Sequence, residues 1–217
     1  MVGGIPVHYR GGGEGVIASY DYTDIAEGTG VQNFYAITRT QASGTTKYEL
    51  TGTVNYSYTL STAGIAIENG ISIEKDFDLT TFNMPKRIKG KCSVYIPWYL
   101  VVTGADKSTY VYITAKLRHW DGSTETEIAS DTTKPTQSYS TTGSPYTLYS
   151  TLSFTCPLTP FKKGETLRLT IIGTTDAAGV GSTGIGTVTL HHDPKDATLG
   201  SFRSTQLKAE VPFVLDL

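Results

Sequence analysis

A glycine-rich loop, four histidines and a pair of close acids are the residues whose types and spacing could do chemistry here. Gly179-Val-Gly181-Ser-Thr-Gly184 has the G-x-G-x-x-G spacing of a dinucleotide-binding loop. Such a loop works because a helix begins at its end, and the helix N-terminus holds the pyrophosphate. Here Ile185–Leu190 alternates as a strand does, so the stretch reads as a hairpin connection. His191-His192-Asp193 carries metal-ligating types, but adjacent side chains on a strand point to opposite faces and cannot share one ion. His119 lies on the inward parity of another strand pattern, at its end. Asp76 and Asp78 share one strand face, where two carboxylates could bind calcium with a loop oxygen. The spacing of a calcium loop is absent, and they read as a solvated strand face.

Nucleophilic chemistry has no mark in the sequence. Serine is plentiful, but no Gly-x-Ser-x-Gly elbow occurs, and no acid sits in apolar surroundings that would mark a glycosidase pair. There is no Cys-x-x-Cys and no His-Glu-x-x-His. No catalytic, cofactor-binding or metal-ligating residue is assigned, and no cofactor is expected. Asn55-Tyr-Ser57 is a glycosylation triplet only in a secreted chain. Pro85-Lys-Arg-Ile-Lys-Gly-Lys91 is a basic cluster in which Arg87, Lys89 and Lys91 share a face. It reads as a strand edge guarded by lysine, or as a contact with an acidic neighbouring subunit.

The elements that must position these residues are strands. In Thr109–Trp120, Val111, Ile113, Ala115 and Leu117 fall on one parity, with Tyr110, Tyr112, Thr114, Lys116, Arg118 and Trp120 on the other. Asp121-Gly122 supplies the positive φ of a tight turn, and Thr124–Ala129 returns as the second arm of a hairpin. The same alternation marks strands at 16–22, 31–39, 47–60, 71–79, 87–102, 146–156, 166–172, 187–192 and 206–217. A single helical turn is expected at 23–27, with polar loops at 40–46, 130–145 and 173–186. Pro157, Pro160 and Lys162-Lys163-Gly164-Glu165 are expected to form a turn after 156. Pro97 and Pro212 lack the ladder donor, so each marks an edge, a bend or a bulge. Tyr95, Tyr99, Tyr110, Tyr112 and Trp120 are expected on the polar parity of neighbouring strands. There they would form a subunit interface or a stacking surface for sugars.

Composition agrees with this architecture. The chain has 217 residues, 18% charged and 38% hydrophobic, with 14 tyrosines and 23 glycines. Thr and Tyr suit a pleated surface and Gly suits turns. A net charge of −2 gives no general attraction to nucleic acid, and no run of about 18 apolar residues could span a membrane. Met1-Val-Gly-Gly has no charged start and no apolar stretch, so the chain is expected to be made in a cytoplasm. Cys92 and Cys156 are too few for a disulfide framework. They read as buried thiols, or as one bridge between neighbouring strands if their Cα atoms come within about 4.4–6.8 Å. The expectation is an all-β, antiparallel, jelly-roll-like β-sandwich over residues 16–217, preceded by a flexible Gly-rich arm at 1–15.

Phe161-Lys-Lys-Gly-Glu-Thr-Leu-Arg-Leu-Thr-Ile, then His192-Asp193-Pro194, then Leu207–Leu217 with its closing Pro-Phe-Val-Leu-Asp-Leu, resembles β-rich virion structural proteins of tailed bacteriophages and related archaeal viruses. The opening Ile17-Ala-Ser-Tyr-Asp-Tyr-Thr-Asp-Ile-Ala-Glu-Gly-Thr-Gly is similar to starts in the same group. The resemblance implies a capsid-associated, decoration, turret or tail component, located in the virion. It implies a homo-oligomer among other virion proteins, and not an enzyme. The alternative is a carbohydrate-binding module or receptor-binding adhesin that stacks Tyr and Trp on a host-surface glycan. Neither nucleic acid nor membrane is expected as a partner.

Overall fold

The computed structural model of the protein describes residues 29–52, 61–104, 108–135, 137–177, 185–192 and 206–214. They form twelve strands: β1 (Thr29–Thr40), β2 (Thr46–Thr51), β3 (Ser61–Ala63), β4 (Gly70–Leu79), β5 (Lys86–Thr103), β6 (Ser108–Trp120), β7 (Glu125–Thr132), β8 (Tyr139–Ser140), β9 (Tyr146–Phe161), β10 (Thr166–Ala177), β11 (Ile185–His191) and β12 (Lys208–Val214). No described residue is in an α-helix; Thr141–Gly143 makes one 3-10 turn. The arm at 1–15, the strand expected at 16–22, the helical turn at 23–27, Asn55-Tyr-Ser57, Gly179–Gly184, Asp193 and the last three residues lie outside the described residues.

The strands follow the order β3-β11-β5-β12-β1-β2-β4-β10-β6-β7, with β9 on the other edge of β5 and β8 on β6. All pairings are antiparallel except β2 with β4, which is parallel at Glu49–Asp78 and Leu50–Leu79. The path curls into a sandwich in which β5 and β6 present their apolar parities to one core. From β5 come Ile88, Cys92, Val94, Ile96, Trp98, Leu100 and Val102; from β6 come Val111, Ile113, Ala115 and Leu117. Phe34, Phe77, Phe161 and Leu169 fill the space between. Each such side chain taken from water stabilises the fold by about 1.5–3 kcal/mol, which is why strict alternation dictates the architecture. On the remaining side β7 runs beside β9.

Both marked prolines solve a ladder problem. On one side β5 pairs with β12 up to Tyr95–Lys208, and with β11 from Trp98–Leu190 onward. Pro97 sits at that change of partner, where a strand without an N–H loses nothing. Pro212 lies where the β12–β5 register shifts between Glu210 and Phe213, opposite the bulge at Gly90. Gly90 has φ 120°, a conformation that suits glycine. Cys92 and Cys156 are free thiols, buried on the inward faces of the paired strands β5 and β9.

Several boundaries differ from expectation. The turn expected from Pro157 onward is confined to 162–165: β9 runs on to Phe161 through both prolines. β9 pairs with one strand only, β5, so its prolines remove no second ladder. The loop expected from 173 begins later, because β10 continues to Ala177. Gly173 is a packing glycine there, since a Cβ would lie 2.9 Å from Val188 Cγ1 and 3.0 Å from Ile73 Cγ2. The stretch 130–145 is not one loop: β7 extends to Thr132 and β8 pairs with β6. The outward aromatics do not share a face. Tyr95 and Tyr99 lie outside one layer on β5; Tyr110, Tyr112 and Trp120 lie outside the opposite layer on β6.

Candidate functional site

His119, near the end of β6, meets Glu165 in the turn that opens β10. Lys162-Lys163-Gly164 makes the turn tight, with the Glu165 N–H donating to the Lys162 carbonyl at 3.2 Å. The Glu165 carboxylate then accepts the Lys162 N–H at 2.6 Å and sits 2.7 Å from His119 Nε2. The Phe161 ring lies edge-on at 4.5 Å from the imidazole and 5.1 Å from Phe82. Phe82 ties this end together, donating to the Glu165 carbonyl and accepting from Gly164 N–H. The Lys162 N–H, with help from His119, holds the Glu165 carboxyl below the usual range. An imidazole oriented by a carboxylate is the proton-handling half of an acid–base site. Among the described residues no hydroxyl or thiol is hydrogen-bonded to His119. Sequence reading placed Glu165 in the turn and gave it no role, because its partner His119 lies on another strand.

His191 and His192 point to opposite faces, as their adjacency requires. His192 is fully buried, with Nε2 2.9 Å from Thr62 Oγ1 and its ring beside Tyr48 and Phe77 at 6.0 and 5.8 Å. Burial pushes its pKa down to about 4, so it is neutral at pH 7. His191 faces the Tyr99 ring at 6.3 Å, and burial lowers its pKa too.

Asp76 and Asp78 lie on the outer face of β4 and are taken up by arginine. Arg168 on β10 holds Asp78 with two hydrogen bonds, reaches Glu125 at 3.2 Å and stacks on Trp120 at 5.2 Å. Arg118 on β6 bonds Glu125 at 3.0 Å, with Glu74 and Asp76 at 3.8 and 4.0 Å. Thr170 donates to Asp76. This ladder spans four strands, and its cations occupy the positions a metal would need. Among the described residues no group of three or more His, Cys, Asp or Glu is placed to hold a metal ion.

The outer face of β9, β5, β12 and β1 carries a different set. Lys208 bonds Glu210 at 2.6 Å, and its ammonium lies 5.3 Å over the Tyr95 ring. The Tyr95 hydroxyl donates to Glu210 at 3.2 Å. Tyr35 stands across from Lys208, and Tyr149, half exposed, stands across from Pro97. The result is a broad tyrosine-rich face with one internal ion pair.

No family model matches the chain, and no curated protein matches it. Solved structures do share its fold. A CocE/NonD family hydrolase from Staphylococcus aureus superposes with a TM-score of 0.51 at 12% identity, over 86% of this chain and 37% of that one. An aminopeptidase from a marine sediment archaeon (Thaumarchaeota archaeon) gives 0.52 at 8% identity, over 85% and 37%. An alpha-amino acid ester hydrolase gives 0.53 at 9%, over 83% and 35%. At such identities the likeness is one of fold. The chain spans about a third of the length of these hydrolases.

These findings correct the reading drawn from the sequence. The expected virion structural protein, with its alternative of a sugar-binding module or adhesin, gives way because the fold recurs within hydrolases. The virion location falls with it, and so does the expectation that the chain is not an enzyme. Of the strings that carried the resemblance, the one from Phe161 encodes the β9–β10 turn and the start of β10, and Leu207–Val214 leads into and forms β12; most of the remainder lies outside the described residues.

Proposed function

We propose that this chain is the β-sandwich component of a hydrolase acting on esters or terminal peptide bonds. In this reading it builds and buttresses a site whose bond-cleaving residues come from another unit. The observation that supports this is the fold: nearly the whole chain matches about a third of each of three hydrolases. The geometry is consistent with a supporting role. His119 and Glu165 form a proton-handling pair with no hydroxyl or thiol hydrogen-bonded to His119 among the described residues. The tyrosine face of β9, β5, β12 and β1 shares with protein interfaces an enrichment in Tyr. That face is the docking side for the catalytic unit.

Antibodies against the purified chain should recover, from its native source, an assembly that hydrolyses an amino-acid ester or a peptide arylamide. Recovery of the intact chain with neither activity would overturn the reading.

A further inference from the structure

The end of the sandwich where β4 leads into β5 and β9 leads into β10 carries a one-signed charged patch. Lys86 pairs with Phe161 across β5 and β9, so the basic stretch starts beside the Lys162-Lys163 turn and runs along β5 to Lys91, opposite Thr155. Phe82 is hydrogen-bonded into that same turn through Gly164 and Glu165, which brings the 82–85 segment alongside. Lys86, Lys89, Lys91, Lys162 and Lys163 are all exposed. Among the described residues no carboxylate is paired with Lys86, Lys89, Lys91 or Lys163. Every charge in 82–91 and 157–163 is positive, in a chain whose net charge is −2. Two large apolar side chains stand in the open within this patch: Met84 at 60% and Leu158 at 55% exposure, flanked by the exposed Pro85, Pro157 and Pro160.

We propose that this end of the molecule binds an anionic lipid surface. A patch of one sign fits a partner that is negative over an area. A protein partner would have to present a negative patch of matching outline, whereas an anionic bilayer offers one at any orientation. Nucleic acid is also uniformly negative, but its single strands are held by aromatic stacking, and the exposed apolar groups here are Met and Leu. Unbranched and γ-branched aliphatic side chains enter the boundary between headgroups and acyl chains, while lysines around them pair with lipid phosphates. The chain lies on such a surface and does not cross it. This inference rests on a different observation from the hydrolase reading.

The test is sedimentation of the whole purified chain with vesicles of phosphatidylcholine alone, or with about one third phosphatidylglycerol, at low ionic strength. Binding is expected to the anionic vesicles and not to the neutral ones. It should weaken steeply as salt is raised. Each lysine at an anionic surface contributes about fivefold in partitioning, so Lys89→Gln/Lys91→Gln should bind about 25-fold more weakly. Met84→Ser/Leu158→Ser should also weaken binding, with the unfolding midpoint unchanged because both side chains are exposed. Failure to bind anionic vesicles would overturn the proposal. So would binding that the lysine substitutions leave unaltered, or retention on double-stranded DNA without retention on vesicles.

Discussion

Arg168 and Asp78 stand directly opposite each other on β10 and β4, joined by Nε to Oδ1 at 2.6 Å and Nη2 to Oδ2 at 2.9 Å. The same register puts Arg168 opposite Arg118 on β6. Two like charges facing each other would repel, and Glu125 is set between them to bond both. The bidentate pair is therefore the anchor of a four-strand ladder. Arg168→Lys keeps the charge and loses the planar fork. Because Asp78 is well exposed to water, the loss should be modest, about 1 kcal/mol in urea unfolding. A cycle of Arg168→Ala and Asp78→Ala should show coupling of similar size; purely additive effects would contradict the pair.

His192 makes stability depend on pH. Its folded pKa, about 4, lies below the usual value of 6.5. Between those values the unfolded chain binds a proton that the folded chain does not, so stability falls as pH drops from 6.5 toward 4. The full effect is about 3 kcal/mol, and His191 adds in the same direction. The carboxylates with lowered pKa, such as Glu127 and Glu165, act below this window. Denaturation of His192→Gln from pH 7 to 4.5 should give a markedly flatter profile than the parent chain.

Glu165 is held by one backbone N–H and one imidazole. Glu165→Ala leaves the Lys162 N–H without its acceptor and frees the imidazole, at about 2 kcal/mol. Glu165→Gln restores an acceptor and should recover part of that loss. Full recovery by Glu165→Gln in thermal unfolding would show that the charge of the carboxylate contributes nothing.

Gly64 is fixed by contact rather than by backbone angle. A Cβ there would run into the Ser72 carbonyl oxygen, the acceptor of the Ile65 N–H at 2.9 Å. Ser72 Oγ also donates to the Ile65 carbonyl and accepts from Val188 N–H. Gly64→Ala must open that junction of β3, β4 and β11, at about 3 kcal/mol. Gly44→Ala, where open space surrounds the position, should cost less, from its φ of 80° alone.

Strand positions were legible wherever one parity enters the core. The β6–β7 hairpin shows it best: Val111 to Leu117 inward, Asp121 capping the turn by accepting the N–H groups of Ser123 and Thr124. Proline was legible as a ladder problem, but not which solution each site would use. Pro97 marks a change of partner, whereas Pro157 and Pro160 sit within an edge strand. Gly173 read as loop because a glycine kept small for Val188 and Ile73 looks the same in sequence as one kept flexible. The outward aromatics were assigned to one face because parity gives the side of a strand and not the layer it joins. Glu165 and Arg168 were missed for a related reason: their partners, His119 and Asp78, lie 46 and 90 residues away.

The most direct test of the hydrolase reading places a photo-crosslinking amino acid at Tyr149, on the tyrosine face, in the chain expressed in its native source. Glu127, on the opposite layer, serves as the control position. The account predicts that Tyr149 crosslinks to a polypeptide segment bearing ester or peptide hydrolase activity, and that Glu127 does not. Crosslinking confined to copies of this chain, or absent at Tyr149, would contradict it.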